Sequence, residues 1–236
     1  MLKKEELFKR IKKRISLLEN ILSSHLPDSE LEKLNNSPVS RKMTVPTELY
    51  DAVNAGIAWN IKTSGAFDIT AGPLITLWKN AGKTGHVPTD REIESAMKNT
   101  GIDKIVLERS DFSIMKTVNV SIDLGGLGKG FTADDIAGLL KENGQESALI
   151  AMSGDIRAVG RRPDGRLWRV GVQDPRYPEN LNALVTIVEI GDMAVSTSGN
   201  YRRFVEINGK RYSHIIDPRT GRTADNVPSV SVIGPD

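Results

Sequence analysis

An α+β fold, with mixed, largely antiparallel sheets and helices packed on them, is what this sequence predicts. Three observations carry that expectation. Leu7, Ile11, Ile15, Leu18 and Leu22 recur at three- and four-residue spacing, the period of a one-faced helix. From Lys104 the pattern changes to short β-rich runs, and Val118, Val120, Ile122 and Leu124 alternate as a strand with one buried face does. No regular strand-helix-strand alternation joins the two kinds of segment, which points away from a doubly wound parallel sheet.

The elements follow in order. The first periodic stretch predicts an amphipathic helix over residues 3–24, ended by Pro27, with a lysine-rich face that reads as solvated rather than lipid-bound. PDSELEKLNNSP, residues 27–38, reads as turn-rich. Thr47 is placed as the N-cap of a second helix carrying Leu49, Val53, Ile57 and Ile61 on one face before Gly65. A third helix follows Pro88, with Thr89 and Glu92 as a capping box, Ile93 and Met97 as its apolar positions and Gly101 beyond its end. KIVLE, FSIMK and VNVSIDL then predict a meander, and a helix runs from about Lys129 to Asn143, ending at Gly144. ALIAM, LWRVGVQ, ALVTIVEI and RFVEI-NG-KRYSHI predict further strands, with Asn208-Gly209 as a type I′ hairpin turn.

Composition narrows the function classes. Lys and Arg total 32 against 30 Asp and Glu, a net charge of +2, which provides no global field for nucleic acid. There are no cysteines, so disulfides, thiolate metal sites and a cysteine nucleophile are excluded. The N-terminal MLKKEELFKRIKK has no apolar signal core, and no segment of the sequence reaches the roughly 20 apolar residues of a membrane span. At 236 residues and 39% hydrophobic content the chain can bury an enzyme-sized core.

Several stretches have the residue types that chemistry needs. In DLGGLGKG, Asp123 to Gly130, glycines at a strand-to-helix turn let backbone amides approach an anion, and Lys129 adds a positive charge. Asp123 is able to accept hydrogen bonds from nucleotide hydroxyls or amines; glycines kept for packing are the other reading. SHIIDPRTG, Ser213 to Gly221, sets His214 beside a turn formed by Asp217, Pro218 and Gly221. A histidine there is either reactive or structural. AFDITAGPL, Ala66 to Leu74, joins an aromatic ring to a carboxylate, which would grip a ring system and its polar edge, or else place Phe67 in the core with Asp68 as a cap. SGDIRAVG and STSGNYRRF read first as turns, with Arg157, Arg202 and Arg203 as solvated charges.

Taken in order, PDSELEKLN, AFDITAGPL-ITLW, DLGGLGKG-FTADD, SGDIRAVG, STSGNYRRF and SHIIDPRTG resemble the FAD:protein FMN transferases, the ApbE family, over nearly the whole chain. The resemblance implies a single ApbE-like domain over residues 1–236. It also implies an Mg²⁺-dependent enzyme that takes FAD as substrate, attaches FMN through a phosphoester to a threonine of an acceptor protein and releases AMP. Ala66, Phe67 and Asp68 would line the FAD site, and Asp123 and Lys129 would hold the dinucleotide. The Gly126 carbonyl would contribute to the metal, and His214 and Ile215 would sit beside the diphosphate, His214 orienting it or acting as general base. A noncatalytic FAD-binding module and an FAD diphosphate hydrolase are the alternatives. Family habit implies the bacterial cell envelope, facing the periplasm, with membrane contact only through an anchor or partner outside this chain. The family's leading strands with their Met-Gly-Thr element, its lipid-anchoring cysteine and its C-terminal Asp-Ala-Leu-x-Thr metal segment have no counterpart in residues 1–236. Asp236 falls a few residues short of that last segment, so an incomplete metal site is the expectation.

Overall fold

The computed structural model describes residues 4–201 and 203–235; the readings placed on Lys3, Arg202 and Asp236 lie outside them. The chain order is α1 (Lys4–Leu22), α2 (Glu30–Asn35), β1 (Met43–Thr44), α3 (Thr47–Lys62), α4 (Gly72–Thr84), α5 (Asp90–Met97), β2 (Ile105–Glu108), β3 (Ser113–Lys116) and α6 (Gly128–Glu142). There follow β4 (Ser147–Met152), β5 (Asp155–Gly160), β6 (Trp168–Gln173), β7 (Leu184–Ile190), β8 (Ala194–Gly199), β9 (Phe204–Ile207) and β10 (Lys210–Ser213). The last are β11 (Ile216–Asp217), β12 (Arg222–Thr223) and β13 (Ser229–Gly234). Every strand pair among the described residues is antiparallel, in keeping with an α+β fold. None of the described helices is long and apolar enough to cross a membrane.

The chain forms two compact units, one built from residues 1–17, 129–202 and 227–236, the other from 18–128 and 203–226. In the first, the apolar stripe of α1 supplies Leu7, Ile11 and Ile15, which pack on Ala133, Ile136, Ala137 and Leu140 of α6 and on Ile150 and Val159 of the sheet. That sheet runs β13-β8-β5-β4. Its other core group joins Ala158 and Val195 to Val170 and Ile190 of the β6-β7 pair. Of SGDIRAVG, read as a turn, Ser153-Gly154 does form the turn, but Asp155–Gly160 is the central strand β5, and STSG, also read as a turn, is the end of the central strand β8. Their small residues suit close sheet packing: Ala158 is fully buried, and Val195 nearly so. Arg157 is likewise not a solvated charge, since its side chain is 11% exposed and its Nε donates to Asp134 at 2.9 Å.

In the second unit, the capping box of α5 forms as its sequence predicts: Thr89 Oγ1 accepts from the Glu92 amide while the Glu92 carboxylate accepts from the Thr89 amide. The Thr89 hydroxyl also donates to the Glu92 carboxylate at 2.7 Å, and this bond, followed by those from the Thr89 amide and His86, holds the Glu92 carboxyl down to about 2. Asn208 and Gly209, at φ 52° and 75°, make the tight turn of the β9-β10 hairpin.

Four expectations change in this unit. Pro46, not Thr47, is the N-cap of α3, and it makes no side-chain cap bond. The buried positions of α3 are Leu49, Tyr50, Ala52, Val53, Gly56 and Asn60, while Ile61 is 68% exposed. Strict four-residue spacing drifts about 40° per step around a 3.6-residue helix, which carries Ile61 off the buried face. PDSELEKLN holds the helix α2, because the Ser29 side chain accepts from the Glu32 amide and Leu31 and Leu34 are buried. Residues 118–124 pair with no strand, although Val120, Ile122 and Leu124 are buried as their alternation requires.

The core of this unit joins Leu74, Trp78 and Ala81 of α4 to Ile93 and Ile207, and Gly221 is wedged against it. Gly221 has φ 66°, and a Cβ there would lie 2.4 Å from Ile93 Cγ2 and 3.1 Å from Leu74 Cδ2. Gly221→Ala combines a left-handed backbone with overpacking and should lower stability by ~1–3 kcal/mol. Thermal melting checks this; a melting temperature equal to that of the parent contradicts it.

Candidate functional site

The candidate site is built where three segments of the second unit meet. Its first segment follows α3. Asn60 Nδ2 donates to the Phe67 carbonyl at 2.8 Å, and the Phe67 amide donates to Thr63 Oγ1 at 3.0 Å. This holds Ala66 at the surface and Phe67 half-buried. Asp68 Oδ1 accepts from the Thr70 amide at 2.7 Å and from Thr70 Oγ1 at 2.6 Å. Asp68 is thus a turn-forming carboxylate just ahead of α4, and it shapes the loop whatever else it binds.

The second segment is the glycine turn. The Asp123 amide donates to the Ile69 carbonyl at 2.7 Å, so the turn is bonded directly to the Phe67–Ile69 loop. Asp123 Oδ1 accepts from the Gly125 amide at 2.7 Å, and its Oδ2 accepts from Ser24 Oγ at 3.2 Å. The amides of Leu127 and Gly128 both donate to the Leu124 carbonyl. Much of the expected amide cradle is therefore engaged in the turn itself.

The glycines of this turn divide by environment. A Cβ at Gly126 would lie 3.0 Å from Phe67 Cε2, so the ring packs over that position. At Gly128 and Gly130 a Cβ would meet no described atom within 4 Å. Packing accounts for Gly126, and it does not account for the two glycines that open α6.

The third segment is the β10-to-β12 loop. Trp78 Nε1 donates to the Gly221 carbonyl at 2.9 Å, which ties the loop to α4. A Cβ on Gly65 would stand 3.8 Å from Arg219 Cγ, so this loop borders the Ala66 turn. His214 Nδ1 is 2.8 Å from the Arg203 carbonyl. A carbonyl only accepts, so Nδ1 carries the proton and, in the neutral ring, Nε2 carries the lone pair. Ile215 is half-buried; its amide donates to Ser213 Oγ at 3.0 Å and its carbonyl accepts from the Ala224 amide at 2.8 Å. Asp217 is bonded through both oxygens to the Arg219 guanidinium, at 2.9 and 2.8 Å, so its charge is matched within the turn.

Ala66, Phe67, Asp68, Asp123, Gly126, His214 and Ile215 thus all belong to the second unit, and contacts within it link their segments. Lys129 belongs to the first unit. Its ammonium is 2.8 Å from Asp155, with the Lys129 side chain 47% exposed and that of Asp155 16%; Asp155 also accepts from Ser196 Oγ. The charge expected of Lys129 is present, and Asp155 holds it. Residues that sequence reasoning missed are Asn35, whose helix was read as a turn, and Trp78, whose indole N–H anchors the histidine loop. Asp155 was hidden inside an assumed turn.

Residues 2–236 match the model of the ApbE family. The FAD:protein FMN transferase of Salmonella typhimurium is 35% identical over 98% of this chain and 67% of its own length. That of Vibrio cholerae is 36% identical over 92% of the chain and 66% of its own. The crystal structure of the ApbE protein from Thermotoga maritima superposes with a TM-score of 0.88 at 31% identity, covering 98% of this chain and 74% of that one. The class is that of flavin-transferring enzymes. Within it, the chain belongs to the ApbE family, and it spans about two thirds of the length of these curated relatives.

The ion pair in the histidine loop yields a pH test. Arg219's hydrogen bonds hold the Asp217 carboxyl below the usual carboxylate range, against a smaller opposing effect of burial. A depressed folded value means that the stabilisation is complete above the unfolded value of ~3.9 and is lost as pH falls through the lower folded one. Arg219→Met should therefore move the Asp217 titration up toward ~3.9 and remove that acid-side contribution. Carboxyl NMR titration checks it, and identical midpoints in the two proteins contradict it.

Proposed function

We propose that this chain catalyses transfer of FMN from FAD to the hydroxyl of a threonine in an acceptor protein, releasing AMP. The observation that carries the reading is the linkage of three family-like segments within one unit: Asp123 bonded to Ile69, Phe67 packed over Gly126, and Arg219 beside Gly65. The names of the relatives supply the substrate and the class of acceptor.

In this reading the exposed turn at Ala66 and the edge of Phe67 receive the flavin end of FAD, with the Asp68-Thr70 turn keeping that loop in shape. Asp123 and Lys129 hold the dinucleotide. Lys129 engages the diphosphate by exchanging or sharing Asp155, and such a charge-assisted bond is stronger than a neutral one. The acceptor threonine oxygen attacks the FMN phosphorus, the bridging P–O bond breaks, and AMP leaves with the bond's electrons. The hydroxyl proton passes to Nε2 of His214, whose ring the Arg203 carbonyl orients. Ile215 flanks the diphosphate beside it.

Among the described residues no three His, Cys, Asp or Glu side chains gather as a metal site would need. A hard cation takes about six oxygen ligands, and the Gly126 carbonyl with those residues does not form such a set. Mg²⁺ dependence of the reaction and a cell-envelope location facing the periplasm belong to this proposal through the family likeness alone.

The experiment is incubation with FAD, Mg²⁺ and an acceptor bearing the target threonine. Covalent flavin fluorescence on the acceptor, equimolar AMP and loss of both with EDTA are expected. Free FMN with AMP and no labelled acceptor would instead identify a diphosphate hydrolase, and FAD binding without product a noncatalytic module. His214→Ala should lower the transfer rate on the order of a hundredfold or more while sparing FAD affinity. Lys129→Ala should weaken FAD binding roughly tenfold or more. Single-turnover rates and FAD titrations distinguish the two effects; a His214→Ala protein with parental turnover contradicts its assignment.

A further inference from the structure

We propose that Asn35 is a positioning residue for the dinucleotide turn, gripping its leading peptide from the end of α2 with Lys116 behind it. The role rests on the flavin-transfer reading above. Its starting point is residues 118–124, which have the burial of a strand and no strand partner. Asn35 takes that partner's place. Its Oδ1 accepts from the Ile122 amide at 2.8 Å, and its Nδ2 donates to the Ile122 carbonyl at 2.9 Å. A side-chain amide here reproduces the donor and acceptor pair of a neighbouring strand.

The consequence falls on Asp123. The Ile122 carbonyl and the Asp123 amide belong to one peptide unit, which is planar. Asn35 holds its oxygen, and the Ile69 carbonyl holds its N–H at 2.7 Å. Gripped on both edges, that plane has a fixed direction, and the Asp123 side chain and the following glycine turn start from it. An aliphatic side chain at position 35 would fill space without setting this direction.

Asn35 is itself restrained. Its Nδ2 also donates to Glu32 Oε1 at 2.9 Å, and its backbone carbonyl accepts from Lys116 Nζ. Lys116 is 0% exposed. A buried ammonium costs stability unless it is bonded, and this one contributes its bond to the residue that holds the turn. Burial lowers the Lys116 pKa, and the Glu32 charge opposes that shift.

Amide hydrogen exchange and FAD titration of the full chain test the proposal on Asn35→Ala, Asn35→Asp and Lys116→Met. Asn35→Asp keeps the acceptor for the Ile122 amide and sets an oxygen against the Ile122 carbonyl, so it breaks the peptide grip selectively. In Asn35→Ala and Asn35→Asp, exchange at residues 122–126 should accelerate roughly tenfold or more over that of α4 and α5, with FAD affinity weakened by a similar factor. Lys116→Met should move both in the same direction by less. A role confined to general stability would raise exchange uniformly, and that result overturns the proposal. So does FAD affinity within about twofold of the parent when the turn's exchange has risen. Parent protein that fails to bind FAD overturns the flavin reading, and with it the role in FAD binding. Parent-like exchange at 122–126 in the Asn35 variants overturns the positioning claim alone. If Asn35→Ala does not fold, Asn35→Asp decides.

Discussion

The hydrogen bond from the Asp123 amide to the Ile69 carbonyl is the constraint on which the candidate site depends. It joins two irregular loops that neither helix nor sheet would otherwise hold together. Irregular backbone is stable in a fold only if its amides and carbonyls find partners, and here the partners are drawn from the other loop and from side chains. Phe67 lies over Gly126 because those two loops are registered, and the register leaves Asp68 and Asp123 as turn carboxylates at their respective bends. The site's shape therefore follows from backbone satisfaction first and from functional side chains second.

The histidine loop is fixed by different means. The α4 helix reaches it with the Trp78 indole N–H, and the apolar core of the same helix closes on Gly221. The imidazole takes its orientation from a main-chain carbonyl at Arg203, which titrates at no ordinary pH. Asp217, the carboxylate nearest to His214 in sequence, serves Arg219 instead. This division gives the ring a proton on Nδ1 set by backbone geometry, a suitable preparation for accepting a proton at Nε2.

The elements legible in the sequence were those whose local signals agree with their burial. The Thr89-Glu92 capping box, the Asn208-Gly209 turn and the α1 stripe are each decided within a few residues, and each formed as read. What was illegible depends on partners far away in the chain. Residues 118–124 alternate like a strand, yet an asparagine 87 positions earlier replaces the ladder. β5 and β8 lie in or beside Gly- and Ser-containing stretches that read locally as turns, and their pairing with each other and with β4 and β13 makes them strands. The site residues were named through the order of family-like segments rather than through spacing alone. Neither sequence nor resemblance revealed that Lys129 pairs with Asp155, or that Asn35 and Trp78 support the loops.

The central claim is that the three linked segments form one flavin-dinucleotide surface. Backbone amide NMR during an FAD titration tests it most directly. The account predicts saturable shifts concentrated at residues 65–69, 123–126 and 213–219, all reporting one dissociation constant. Shifts that fall elsewhere, or that give different constants for the glycine turn and the histidine loop, would contradict it.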